Sequence, residues 1–190
     1  DVIVAQGTEA GGHTGRVGTL ALVPQVVDAV APLPVIAAGG IADGRGLAAA
    51  LLLGAEGAWL GTAFLASPES GYREAQKQRV LAIAAGDTVL TRSFDLAGGG
   101  EWPEGIAGRV ARNAFSDRWA GHEDELIQRV EEIRPGYREA VRAGDLETAP
   151  TWAGDAAGLV RRSESAAEIM RRILAEAESV LRTRTAAVLG

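Results

Sequence analysis

The sequence predicts an α/β fold organised on a parallel sheet, and three observations carry that reading. Short apolar runs recur at Val2-Ile3-Val4, Val35-Ile36-Ala37-Ala38 and Ala58-Trp59-Leu60, each the length of a buried strand. A stretch with helical character follows each run, and the second and third runs lie about twenty residues apart, the spacing of successive βα units. Glycine stands at or just beyond the end of each run: Gly7 after the first, Gly39-Gly40 after the second and Gly61 after the third. Parallel strands alternating with helices need both faces of the sheet covered, so near-continuous apolar strands are expected.

Taken in order, residues 1–6 read as a strand and 7–18 as a glycine-rich loop. Leu20 to Val30 has Leu22, Val23, Val26, Val27 and Val30 near helical spacing, with Pro24 tolerable only in the first turn. Pro32 and Pro34 break that pattern before the second strand. Asp43 is placed to cap a helix over 44–54. Ser67-Pro68-Glu69 presents a cap, a proline and an early carboxylate, and predicts a helix from there to about Ala85. Beyond Gly86 the character changes. Residues 88–94 read as a strand, 96–105 as a glycine-rich connection, and 107–120 and 123–143 as helices, the latter interrupted at Pro135-Gly136. Ser165-Ala166-Ala167-Glu168 is a capping box, and Ile169, Ile173, Ala177, Val180 and Leu181 form one apolar stripe behind it.

Composition excludes several classes. The 190 residues are 47% hydrophobic, enough to bury a core in one domain or part of a larger one. A net charge of −6 argues against nucleic acid as a partner. The absence of cysteine removes disulfides, thiolate metal sites and cysteine nucleophiles together. No His/Asp/Glu spacing suggests a metal site, and no apolar run approaches the roughly 18 residues of a membrane span. With no visible signal peptide, a cytoplasmic location is the expectation. The chain begins at Asp1 and enters a strand at once, as a piece of a longer chain would.

Chemistry concentrates in Ala5-Gln6-Gly7-Thr8-Glu9-Ala10-Gly11-Gly12-His13-Thr14-Gly15, at the carboxyl end of the first strand. His13 is one of two histidines, and imidazole suits proton transfer near pH 7. A lone histidine is often a core or capping group. Its place in a glycine-dense loop at the carboxyl edge of a parallel sheet favours function. His122, in Gly121-His122-Glu123-Asp124-Glu125, reads as surface. Glu9 is either a ligand contact or a loop hydrogen bonder. Gly39-Gly40 and Gly61-Thr62 either make tight βα turns or present backbone N–H groups to a phosphate. Two such pairs on consecutive units fit the phosphate site on the last loops of a (β/α)₈ barrel. Trp59 and Trp119 read as core, while Trp152, among small residues, either covers a ligand face or fills a gap.

The glycine-rich loop, Pro34-Val35-Ile36-Ala37-Ala38-Gly39-Gly40-Ile41-Ala42-Asp43-Gly44 and Leu60-Gly61-Thr62-Ala63-Phe64-Leu65 together resemble the nitronate monooxygenase family, as do the later segments Arg109 to Phe115 and Trp152 to Leu159. Ala63 stands where that family often has arginine, and the family's amino-terminal half has no counterpart here. The resemblance implies the last βα units of an FMN-binding TIM (β/α)₈ barrel over 1–86, followed by a mainly helical post-barrel region over 87–190. It implies that backbone at Gly39, Gly40, Gly61 and Thr62 holds the FMN phosphate, with Gln6, Gly11 and Gly12 near the isoalloxazine ring and His13 as the catalytic base. Substrates would be a nitronate or nitroalkane and O2, with a homodimer left open. The loop and phosphate site are also similar to the flavin-dependent enoyl-acyl-carrier-protein reductases, which use a nicotinamide. A third expectation is an inactive piece that binds FMN weakly, because three strands cannot close an eight-stranded barrel.

Overall fold

A computed structural model describes residues 1–189. Along the chain run β1 (Ile3–Gln6), β2 (Gly12–Thr14), α1 (Thr19–Val30), β3 (Val35–Ala38), α2 (Gly44–Leu52), β4 (Gly57–Trp59), α3 (Glu74–Ala82) and β5 (Thr88–Thr91). There follow α4 (Ser93–Gly98), β6 (Ala107–Ala111), α5 (Ala114–Trp119), α6 (Glu123–Gln128), α7 (Val130–Ala143) and α8 (Ala166–Leu189). Short 3₁₀ turns lie at Thr62–Phe64 and Asp155–Leu159. The fold is mixed α/β, on two small sheets.

The three predicted strands form a parallel sheet in the order β1-β3-β4, with Ala5 opposite Ala37 and Ala38 opposite Trp59. The central strand β3 is the most covered, as a strand with neighbours on both sides must be. Ala5, Val23, Val35, Ala37, Ile41, Ala50 and Ala55 form the core between this sheet, α1 and α2. Fully burying a valine such as Val23 or Val35 contributes about 1.5–3 kcal/mol. Asp43 caps α2, accepting from the N–H groups of Arg45 at 2.9 Å and Gly46 at 3.2 Å. That helix packs on α8, where Ile169, Ile173 and Ala177 are buried and Val180 and Leu181 half-buried. Glu176 of α8 accepts from Gly44 N–H at 3.0 Å. The Ser165–Glu168 capping box forms as the sequence predicts, with Glu168 Oε2 accepting from Ser165 N–H at 2.8 Å.

The second sheet is antiparallel, in the order β2-β6-β5, and it corrects the reading of the later half. Residues 107–111 are the central strand β6, not the start of a helix, and helix begins only at Ala114. Alternating burial through Gly108 and Val110 and two partner strands override the local helical pattern. Residues 12–14, inside the predicted loop, form β2 because β6 offers them a ladder. The strand predicted over 88–94 ends at Thr91, and α4 occupies part of the predicted connection. Its Phe94 joins Phe115, Trp119, Leu126 and Tyr137 in a second large core cluster.

Other expectations shift as well. The helix predicted from Ser67 starts at Glu74, and Glu69 accepts from Ala166 N–H at 3.0 Å, serving the start of α8 instead of its own helix. Pro135-Gly136 does not interrupt α7, and the break lies at Arg129 between α6 and α7. Pro24 is the sixth residue of α1, past its first turn. Trp119 is buried and His122 exposed, as expected, but Trp59 is 63% exposed at the mouth of the cleft described below.

Candidate active site

A cleft of about 590 Å³ opens at the carboxyl ends of β1, β3 and β4. Gln6, Gly11, Gly12, Gly39, Gly40, Gly61 and Thr62 all line it, with Trp59, Tyr72 and Trp152 as aromatic walls. Gly39 and Gly40 adopt φ of +95° and +73°, where side chains are strained. A Cβ on Gly39 would sit 2.9 Å from the Gly7 carbonyl oxygen, so this turn needs glycine for both shape and space. No described residue accepts a hydrogen bond from the N–H groups of Gly39, Gly40, Gly61 or Thr62. Among the described residues no charged side chain lines the cleft; its polar side chains are Gln6, Thr62 and Tyr72, beside the backbone of its glycines near the start of α2.

Three ties hold the glycine-rich loop in place. Glu9 is a loop hydrogen bonder: its carboxylate accepts from Thr19 N–H at 2.9 Å and from Thr19 Oγ1 at 2.8 Å. Arg109 on β6 reaches from below, with Nε donating to Thr8 O at 2.9 Å and Nη1 to Asp155 Oδ1 at 3.0 Å. The segment around Trp152 closes the third side. Asp155 N–H donates to Glu9 O at 3.0 Å and Gly154 N–H to Thr62 Oγ1 at 3.0 Å. Gly11 and Gly154 approach so closely that a Cβ on Gly11 would lie 2.6 Å from Gly154 N.

His13 sits beside this cleft, not on its wall. It lies on β2 opposite Gly108 and lines an adjoining hollow of about 450 Å³, which shares Val4 and Gln6 with the main cleft. Gln6 Nε2 donates to His13 O at 2.7 Å, joining the two spaces. The imidazole stacks on Trp102, centroid to centroid 3.8 Å at 16°, and Trp152 lies 5.1 Å away, tilted. His13 Nε2 is 2.9 Å from Asp95 Oδ1 and 3.0 Å from Oδ2. Below Asp95 the phenol of Tyr137 is pushed up to about 12, first by burial and then by the Asp95 charge. Burial also raises Tyr72, whose hydroxyl donates to Trp152 O at 3.1 Å. Trp152 therefore both fills a gap against Phe94 and faces the cleft.

Sequence reasoning alone missed Asp95, Trp102 and Tyr72. Asp95 stands 82 residues from His13, and no local spacing joins a residue of β2 to one of α4. Trp102-Pro103 in a glycine-rich connection was a readable signal, since a rigid aromatic in a loop needs a surface to cover.

The family model described as nitronate monooxygenase matches residues 1–176. The chain belongs to that family. As a nitronate monooxygenase family member it is 41% identical to the nitronate monooxygenase npaC of Metarhizium robertsii, over 95% of this chain and 53% of npaC. Among solved structures it is similar to FabK from Thermotoga maritima, with TM-score 0.84 and 38% identity over 98% of this chain and 57% of FabK. It is also similar to nitroalkane oxidase from Streptomyces ansochromogenes, with TM-score 0.77 and 33% identity over 98% of this chain and 53% of the oxidase. The chain thus spans about half the length of the relatives it matches. Among the described residues of this family member, no helix is long and apolar enough to cross a membrane, and no group of three or more His, Asp or Glu is placed to hold a metal ion.

Proposed function

We propose that this chain carries the phosphate-binding wall and the base of an FMN-dependent nitronate monooxygenase, which oxidises alkyl nitronates or nitroalkanes with O2 to a carbonyl compound and nitrite. The observation that carries the reading is the set of four free backbone N–H groups on one wall, next to an imidazole held by a carboxylate. The donor set fits a flavin mononucleotide: Gly39, Gly40, Gly61 and Thr62 would hold the phosphate, while Gln6, Gly11 and Gly12 line the part nearest His13. When bound, the flavin supplies the exchange of electrons with substrate and oxygen. The chain's own residues bind, orient and move a proton. Trp152 and Tyr72 narrow the cleft against water, and His13 takes the proton from the carbon bearing the nitro group. The three parallel strands are read as an arc of a (β/α)₈ barrel completed by further strands, with residues 1–86 in the barrel and 87–190 after it. The exposed Val2 just before β1, and Ile3 and Val4 on it, support a neighbour at that edge.

The second reading, a flavin-dependent enoyl reductase, is favoured by the likeness to FabK. One experiment separates the two: the holoprotein is held anaerobic while its flavin absorbance is followed on adding propionate 3-nitronate or NADH. Bleaching by the nitronate, with turnover once oxygen is admitted, is the expected result. Rapid bleaching by NADH with no response to nitronate transfers the protein to the reductase group. A colourless protein that neither takes up FMN nor responds to either compound overturns both.

A further inference from the structure

We propose that Asp95 is a positioning residue that fixes His13 as its Nε2–H tautomer and leaves Nδ1 as the basic atom of the site. The inference deepens the reading of His13 as proton acceptor and rests on it. Both oxygens of Asp95 approach the same ring nitrogen, at 2.9 and 3.0 Å. An ionised carboxylate only accepts hydrogen bonds, so the hydrogen between them belongs to Nε2. A neutral imidazole carries one N–H, and its remaining lone pair is therefore on Nδ1.

The surroundings hold this arrangement still. Trp102 lies almost parallel to the ring at 3.8 Å, and Trp152 stands tilted at 5.1 Å. Asp95 comes from a helix anchored by the buried side chains of Phe94 and Ala97. The carbonyls at the end of that helix are gripped from α7: Arg134 donates to Ala97 O at 3.3 Å and Arg138 to Gly98 O at 3.1 Å. The carboxylate thus has a fixed origin on one sheet's flank and meets a ring fixed on β2. In the proton step the C–H bond beside the nitro group breaks, its electron pair moves onto the nitro group, and the proton goes to Nδ1. The ring becomes a cation, and the Asp95 charge next to it stabilises that product, as carboxylate–imidazole pairs do elsewhere.

The test reads the tautomer directly. The holoprotein is labelled with ¹⁵N-histidine, and His122→Gln assigns its two imidazoles. In the neutral ring of His13, Nε2 is expected to be protonated and Nδ1 bare. Asp95→Asn, whose carboxamide can donate to Nε2, is expected to move the hydrogen to Nδ1 and to lower the nitroalkane-to-nitronate turnover ratio roughly a hundredfold, since a nitronate has already lost its proton. Asp95→Glu is expected to recover the wild-type tautomer and part of that ratio. A bare Nε2 in the wild-type protein overturns the proposal, and so does an Asp95→Asn protein that keeps both tautomer and ratio. The wild-type spectrum decides even if Asp95→Asn does not fold. If instead His13→Ala leaves nitroalkane turnover intact, the reading of His13 as base fails while the tautomer result stands on its own.

Discussion

The two sheets meet at the glycine-rich loop, but they reach the cleft with different parts of the chain. The parallel sheet brings mostly backbone: its strands end in Gly39-Gly40 and Gly61-Thr62, which line the cleft and whose N–H groups no described residue accepts from. The antiparallel sheet and its flanking helices bring side chains: His13 from β2, Asp95 from the helix after β5, and Trp152 bridged to Val110 of β6. A backbone donor survives most changes of side chain, provided the dihedral angles survive. A side-chain base survives almost none. The molecule separates what would hold an anion from what would move a proton, and Gln6 links them through its bond to His13 O.

Substitutions can break this division or sharpen it. His13→Asn should have the largest effect, lowering kcat/KM for a nitroalkane about 10²–10⁴-fold while flavin content stays at the wild-type level. Loss of flavin from that variant, seen in its absorbance spectrum, would show that the two sides are not separate. Gly39→Ala should do the opposite. The strained φ and the contact with Gly7 O together cost about 1–3 kcal/mol, lowering Tm and leaving mostly apoprotein. Thr62→Ala is the sharper control. It keeps the N–H and removes the hydroxyl that Gly154 N–H uses, so denaturant unfolding should register a loss of about 1 kcal/mol with flavin retained. The last effect vanishes at neutral pH and is confined to alkaline solution. Tyr137 is raised to about 12 in the fold against about 10 in an unfolded chain, so the unfolded state releases its proton first. Stability should be unaffected by this group below pH 10 and fall between about pH 10 and 12, and Tyr137→Phe should flatten that slope.

How much of this was legible depended on how far apart the partners lie. The parallel strands announce themselves locally, since each is a short apolar run ending in glycine, and the glycines that line the cleft could be named one by one. Asp43, Ser165 and Glu168 follow from rules that span only three or four residues. The antiparallel sheet is different. Ala107–Ala111 has no strong strand character of its own, and it is a strand because Gly12–Thr14 and Thr88–Thr91 pair with it. Glu69 reads as an early carboxylate of the wrong helix because its true partner, Ala166 N–H, is supplied by a distant segment. Trp59 reads as core from its apolar neighbours, yet it stands at the end of a strand where the cleft opens. His13 could be singled out by chemistry, but the carboxylate that orients it could not.

The pairing of Gly12 with Arg109 also sets a timetable. The parallel strands all lie between Ile3 and Trp59 and can find one another before Arg109 is made. The loop that carries His13 must wait for about a hundred further residues, which at ordinary elongation rates takes roughly 5–20 s. Through that interval the glycine-rich segment is without its ladder, without Arg109 beneath Thr8 and without the aromatic cover of Trp102 and Trp152. The half of the cleft made of backbone is therefore assembled first, and the imidazole is locked in place only when the later half of the chain arrives.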